Sequence, residues 1–178
     1  MAIEKVRAHL KTWGREADII ELDASTATVA EAAAALGVIP ARIAKSISLK
    51  TPESAASSAP AIPPGEVSRE TFPGPAFIVV TAGDARLDNK KFKARFGFKA
   101  KMLTPEEALE YTGHAVGGVC PFGLPSGIAV YLDESMKRFT AVFPACGSGN
   151  SAIELTLAEL ETYSRTAGWV DVCRQDPA

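Results

Sequence analysis

The sequence predicts an α+β fold: a mixed, mostly antiparallel sheet curled toward a barrel, with helices flanking it. Three observations predict it. Capped helical segments and strand-like segments are interspersed along the chain, with no internal repeat. The late runs IAVYLD, RFTAVF and SAIELT follow one another with short turns, which join antiparallel neighbours, whereas the earlier helical crossovers permit parallel ones. At 178 residues the chain fits one domain, 1–178, with a genuine core.

Taken in order, Ile3, Val6, Leu10 and Trp13 recur at helical spacing and open the chain with an amphipathic helix. A short strand is expected at 18–22. Thr28 and Glu31 form a capping box ahead of VAEAAAALG, with Gly37 as the left-handed stop. The stretch IAKSISLK, 43–50, alternates as a strand should. Residues 51–75, rich in Pro, Ser and Ala, read as a flexible excursion between two strands. The apolar run AFIVVTAG follows as a central strand. Asp88 caps a basic helix ending at Gly97, and Phe98, Ala100 and Met102 alternate as a further strand. Thr104-Pro105-Glu106-Glu107 starts a helix that Gly113 closes. After the three late strands, Thr156 and Glu159 cap a last helix, LAELETYSRTAG, and WVDVC is the final strand.

Composition excludes several classes. Hydrophobic residues make up 47% and charged residues 22%, with a net charge of -2, so any nucleic-acid contact has to come from a local basic patch. The charged N-terminus lacks the apolar core of a signal peptide, and no run approaches a membrane span. Cys120, Cys146 and Cys173 are odd in number and form no CxxC pair, which reads as free thiols in a reducing, cytoplasmic setting. With only His9 and His114 beside them, nothing has zinc-site spacing, so no metal and no cofactor are expected.

Four features can carry chemistry. Lys45 shares strand parity with Ile43, Ile47 and Leu49, so alternation sends an ammonium group toward the apolar face. Such burial is costly without an anion, and active sites tolerate the cost; the plainer reading is a strand-end lysine reaching water. Gly117-Gly118-Val119-Cys120-Pro121 is a loop whose consecutive N–H groups can hold a carboxylate, a phosphate or a developing oxyanion. It is neither a Walker loop nor a dinucleotide fingerprint. The segment from Ala145 to Asn150 joins two strands; a hairpin turn accounts for its tip, while Cys146 and Gly147 can line a pocket. Basic residues cluster from Arg86 to Lys101, including Lys90, Lys91, Lys93 and Arg95, and suit a phosphate backbone or, more plainly, a solvated helix face. Cys120 and His114 also invite a thiol-nucleophile reading, and Tyr111, Asp84 and Asp133 are further pocket candidates.

Together these pieces resemble the YbaK/ProX family, related to the editing insertion domain of bacterial prolyl-tRNA synthetases. The resemblance spans about residues 29–160. It rests on the order of EAAAALGVIPARIAKSISLK, FIVVTAGDARLDNKKF, LTPEEALEYTGHAVGGVCPFGLP, VYLDESM and VFPACGSGNSAIELTLAEL. It implies a barrel-like mixed sheet and trans-acting hydrolysis of the ester joining a wrongly attached amino acid to the terminal adenosine of tRNA. The family's strand lysine maps onto Lys45, its G-x-x-x-P loop onto Gly117 through Pro121, and a strand-end glycine onto Gly147. Lys45 would hold the terminal phosphate or ester carbonyl, and the amides of Gly118, Val119 and Cys120 would position the carbonyl or ribose. Ser46 and Cys146 would border the pocket. The partners implied are the acceptor end of a mischarged tRNA, with tRNA(Pro) the first candidate, and an aminoacyl-tRNA synthetase, but no membrane. The amino acid stays open among alanine, cysteine, serine and threonine. The alternatives are a non-catalytic aminoacyl-tRNA or amino-acid binding module of the same fold, and a hydrolase working through Cys120.

Overall fold

Seven consecutive small or apolar residues, Ala76–Ala82, form a strand (β3) in which every position is buried. A strand apolar on both faces belongs in the middle of a sheet. In a computed structural model describing residues 2–53 and 74–175, β3 lies at the centre of six strands. Most of the excursion expected at 51–75 falls outside the described residues. β2 (Ile43–Lys50) pairs antiparallel with β3 over its whole length, from Ala44↔Ala82 to Lys50↔Ala76. β5 (Ala129–Asp133) runs parallel to β3, and β9 (Gly168–Val170) parallel to β5. On the other flank β6 (Ala141–Pro144) runs parallel to β2, and β8 (Leu155–Thr156) antiparallel to β6. Two small antiparallel ribbons complete the strands: β1 (Ile20–Glu21) with β7 (Ser151–Ala152), and β4 (Ala85–Leu87) with β10 (Cys173–Gln175). The sheet curls as a half-barrel, and among the described residues antiparallel pairings outnumber parallel ones only narrowly.

Short turns mislead at one place. β5 and β6 are joined only by a 3-10 segment, Glu134–Arg138, and a short link, yet they sit on opposite sides of the β2–β3 pair. The segment 98–102 is not a strand: Met102 makes one isolated bridge to Leu49 and is 64% exposed. SAIELT is split into β7 and β8, WVDVC into β9 and β10, and the strand expected at 18–22 shortens to β1 after a 3-10 turn at Glu16–Asp18.

The helices follow their caps. α1 (Ala2–Lys11) buries Val6 and Leu10. α2 (Val29–Leu36), α4 (Pro105–Thr112) and α5 (Leu157–Ser164) each begin with a complete capping box, at Thr28/Glu31, Thr104/Glu107 and Thr156/Glu159. Each such cap contributes about 1 kcal/mol. α3 (Asn89–Phe96) starts on the Asp88 carboxylate and stops at Gly97 in the left-handed region. α5 ends early, on left-handed Arg165 rather than on a glycine.

Two helices decide what surrounds Lys45. Opposite residues of paired strands share a face, so Lys45 lies with Ile43, Ile47, Thr81, Val79 and Phe77. At one end of this face Ala32 and Ala33 of α2 pack on Ile43 and Phe143. At the other, Phe92 of α3 stacks on Phe77 at 6.3 Å, with Phe96 at 5.4 Å from the same ring. Ser46, one residue on, belongs to the opposite face.

The glycine loop is fixed by a buried histidine. His114 is fully buried; its Nδ1 accepts the Cys120 N–H at 3.3 Å, and the Thr112 hydroxyl accepts the His114 N–H at 3.1 Å. Nδ1 therefore carries no proton, Nε2 does, and Nε2 is buried without a hydrogen-bond partner. Burial, with the Lys5 charge adding to it, lowers the His114 pKa to about 4. Gly118 abuts Gly147 so closely that a Cβ would stand 2.8 Å from the Gly147 carbonyl carbon and the Ser148 nitrogen, both main-chain atoms.

Two outcomes follow from this packing. Because the folded-state pKa of His114 is depressed, the unfolded chain binds the extra proton between about pH 6.5 and pH 4. Stability is therefore lost as pH falls through that window. Urea unfolding at pH 7 and pH 4.5 should show the wild type losing about 2–3 kcal/mol more than His114→Gln; equal losses in the two proteins would refute the assignment. Gly118→Ala should lower stability by about 1–3 kcal/mol through overpacking, and an unchanged urea midpoint would show that the two loops are not in hard contact.

Candidate functional site

Parallel strands that separate leave unpaired main-chain groups between them, and β2 and β6 separate early. Their pairing consists of Ile43↔Phe143 and Ala44↔Pro144. β6 then turns away into its own hairpin, where the Ile153 N–H reaches Pro144 O at 3.1 Å and Ala145 bridges Ala152. β2 runs on alone until 101–103 meets it: the Lys50 N–H donates to Lys101 O at 2.8 Å, and the Leu103 N–H donates to Ser48 O at 3.1 Å. Main-chain groups in a strand point alternately to its two sides. Ala44, Ser48 and Lys50 use theirs on this edge, so Ser46 aims its N–H and C=O into the interval between β6 and 101–103. The Ser46 hydroxyl, on the opposite face from Lys45, is buried with no hydrogen-bond partner. Lys45 and Ser46 thus sit at a notch in the sheet.

Lys45 is half-buried, and its Nζ donates to the Ala85 carbonyl at 2.7 Å. Ala85 opens β4, just past the β3–β4 turn at Gly83 and Asp84. The Arg138 guanidinium grips Asp84 with both Nη atoms, one of them at 3.0 Å, and donates from Nε to Ser135 O at 2.9 Å. The Arg138 hydrogen bond above all, with Lys45 as a smaller charge effect, holds the Asp84 carboxyl below its ordinary pKa. Lys45 therefore stands between the Ala85 carbonyl and the Asp84 carboxylate that Arg138 holds. Asp133 takes no part: it is buried and caps the 3-10 turn through the Ser135 N–H at 2.9 Å while accepting the Val172 N–H at 2.9 Å.

Three loops converge beside the end of β6. Gly118 lies on Gly147, Ala27 borders both Gly117 and Gly149, and the Thr26 N–H reaches Gly149 O at 2.7 Å. The β2–β6 register carries Lys45 and Ser46 to the same strand end, since Cys146 and Gly147 follow Pro144 by two and three residues. Gly117, with φ of 95°, needs the freedom of a residue lacking Cβ.

The donor assignments expected from sequence change here. The Gly118 N–H is used by Ala115 O at 2.9 Å and the Cys120 N–H by His114, so neither is open to a ligand. Among the described residues the amides of Gly117 and Val119 have no protein acceptor. Pro121 is buried where the loop exits. Cys120 does lie beside His114, with Sγ 3.8 Å from Nδ1, but burial pushes its thiol pKa up to about 12 and lowers that of the imidazole. The pair is neutral and inaccessible, so the thiol-nucleophile reading fails. Burial likewise raises the Cys146 thiol well above its ordinary range.

The basic helix divides. Phe92 anchors α3 to the core; Lys91 is spent on Asp171 at 3.0 Å and Cys173 O at 3.1 Å; Arg95 lies over the Phe96 ring at 5.5 Å. Lys90 and Lys93 stay exposed. An open groove of ≈ 380 Å³ lies elsewhere, lined by Arg15, Asp18, Ile20, Ala141, Glu154, Thr156 and Glu159. It contains none of the candidate residues, and Arg15 fills it with ion pairs to Asp18 and Glu159. Sequence reasoning missed the Ala85 carbonyl, Arg138 and Ala27. A carbonyl has no sequence signature, and the other two act through where the chain brings them.

Comparison with known proteins places the chain. The family model of the aminoacyl-tRNA editing domain matches residues 23–163. The "Uncharacterized protein YwhH" of Bacillus subtilis (strain 168) is 49% identical over 174 residues, covering 98% of each chain. A solved structure described as a "putative trans-editing enzyme for prolyl tRNA synthetase" superposes with a TM-score of 0.76 at 28% identity, over 99% of this chain and 98% of that one. The hypothetical protein APE2540 superposes at 0.69 with 27% identity, over 93% and 99%. Among the described residues no helix is long and apolar enough to cross a membrane. The chain belongs to the aminoacyl-tRNA editing domain family.

Proposed function

We propose that the chain is a free-standing deacylase that hydrolyses the ester of mischarged aminoacyl-tRNA, removing a small amino acid in trans. The observation that carries this reading is Lys45, a half-buried cation at the notch where β6 leaves β2, whose Nζ donates to the Ala85 carbonyl at 2.7 Å. Family membership and the solved relative named for prolyl-tRNA synthetase support it. An aminoacyl ester is already activated, so placing water and stabilising the developing oxyanion suffice. Lys45 supplies positive charge for the terminal phosphate or the ester carbonyl. The amides of Gly117 and Val119, which the loop leaves open, are the oxyanion donors. The vicinal ribose hydroxyl, as the family resemblance implies, assists the water.

A small acyl side chain is the reading taken from the family resemblance. One pocket separates methylene-scale differences by only about 1–3 kcal/mol, which is why a second, hydrolytic sieve is useful. Alanine, cysteine, serine and threonine are the acyl groups to test, and tRNA(Pro) is the first carrier.

A panel of aminoacyl-tRNAs, assayed for release of the amino acid, should show turnover of at least one small aminoacyl ester. Lys45→Ala should reduce kcat by about 10²-fold or more, while Cys120→Ser should retain near-full activity. Saturable binding without turnover across the panel would instead mark the chain as a binding module. Loss of activity in Cys120→Ser with an unchanged thermal midpoint would restore the thiol mechanism.

A further inference from the structure

A sheet edge that lacks one pairing position is a template for one residue. On the β6 side of β2, contact with β6 ends at Ala44↔Pro144, and the next bond on that edge is the Leu103 N–H to Ser48 O at 3.1 Å. Ser46 lies between these points. Among the described residues its N–H and its carbonyl, which aim to that side, meet no protein partner. Ser46 is half-buried although its hydroxyl is covered, so the surface it still shows is Cβ and main chain. β6 and the segment 101–103 bound the interval at its two ends, which leaves a single pairing position and no run for another strand. In an antiparallel ladder a hydrogen-bonded pair exchanges two bonds, each residue donating its N–H to the other's carbonyl. The complement of Ser46 is therefore a nitrogen donor and a carbonyl on one carbon, the pattern of a single amino-acid residue. An aminoacyl ester has that pattern, with its α-ammonium beside its ester carbonyl.

We infer that Ser46 receives the aminoacyl group as a bridge partner: its carbonyl accepts from the substrate's α-ammonium, and its N–H donates to the ester carbonyl, beside the amides of Gly117 and Val119. The inference rests on the deacylase reading and adds a requirement to it, a free α-amino group on the acyl moiety. An ammonium offers three donors and a full charge, and a charge-assisted hydrogen bond is stronger than a neutral one. An N-acylated amino group, as in peptidyl-tRNA, offers one neutral N–H and brings an added acyl group against the segments that bound the interval. The chain therefore clears aminoacyl esters and spares peptidyl esters, a distinction drawn by main-chain atoms and not by a side chain.

The test uses the whole protein and three 3′-esters of adenosine: alanyl, propionyl, which lacks the amino group, and N-acetylalanyl. Each rate is divided by that ester's spontaneous hydrolysis, because the ammonium itself activates the ester. Normalised kcat/KM for the propionyl and N-acetylalanyl esters should fall about 10- to 100-fold below that for the alanyl ester. In parallel, protein carrying ¹³C at its serine carbonyls is titrated with the non-hydrolysable 3′-alanylamido and 3′-propionylamido adenosines. The Ser46 carbonyl should shift saturably with the first and much less with the second. Equal normalised rates on the three esters would overturn the inference and leave the deacylase reading intact. Discrimination among the esters with the Ser46 carbonyl unmoved would also overturn it, since the amine would then be read elsewhere. Hydrolysis of none of the esters, nor of any aminoacyl-tRNA, would sink the deacylase reading. The titration needs no turnover and decides the Ser46 contact even then: equal shifts with the two amides would overturn it.

Discussion

A lysine ammonium half-buried on the apolar face of a sheet keeps its charge only where polar groups meet it. A main-chain carbonyl is one of the groups that meet Lys45, and much of the surrounding architecture serves that contact. β3 holds β2 in register so that Lys45 stands opposite Thr81, beside the β3–β4 turn. β4 brings the Ala85 carbonyl to Nζ, and Arg138 keeps Asp84 ionised but occupied. α2 and α3 cover the two ends of the face and leave Lys45 between them. On the proposed reading, an anionic ligand at the notch would add to these contacts and make the side chain a binding determinant.

The second component is main-chain geometry. Departure of β6 from β2 exposes the edge of Ser46, and the Gly118–Gly147 contact holds two loops closer than any side chain would allow. His114 uses its one acceptor on Cys120 and so sets which loop amides stay open. The loop's donors are selected by what its neighbours consume, not by their order in the motif. Gly118 and Cys120 are taken, Gly117 and Val119 are not. Rigid donors aimed before the substrate arrives need no reorganisation during reaction.

Local signals in the sequence were reliable where the physics is local. Three capping boxes, the Asp88 cap and the glycine stops at Gly37, Gly97 and Gly113 stand where residue type places them. The buried run Ala76–Ala82 announced the central strand. Lys45 was legible because alternation puts it on the face of Ile43 and Ile47. Non-local features were not legible. The separation of β5 from β6 depends on which strands β2 and β3 already occupy, and a short connection does not encode that. Met102 shares strand parity with Phe98 yet is exposed, because only one isolated bridge to Leu49 is available to it. The engagement of Lys91 with Asp171, and of the Cys120 amide with His114, joins groups whose pairing no spacing rule specifies.

The central claim is that the notch at Lys45 and Ser46 and the open amides of Gly117 and Val119 form one binding site. The most direct measurement is a ¹⁵N amide titration with a non-hydrolysable 3′-alanylamido adenosine. The account predicts saturable shifts at Lys45, Ser46, Gly117 and Val119 with a common dissociation constant. Shifts confined to the groove around Arg15 and Glu159, with those four amides unmoved, would contradict it.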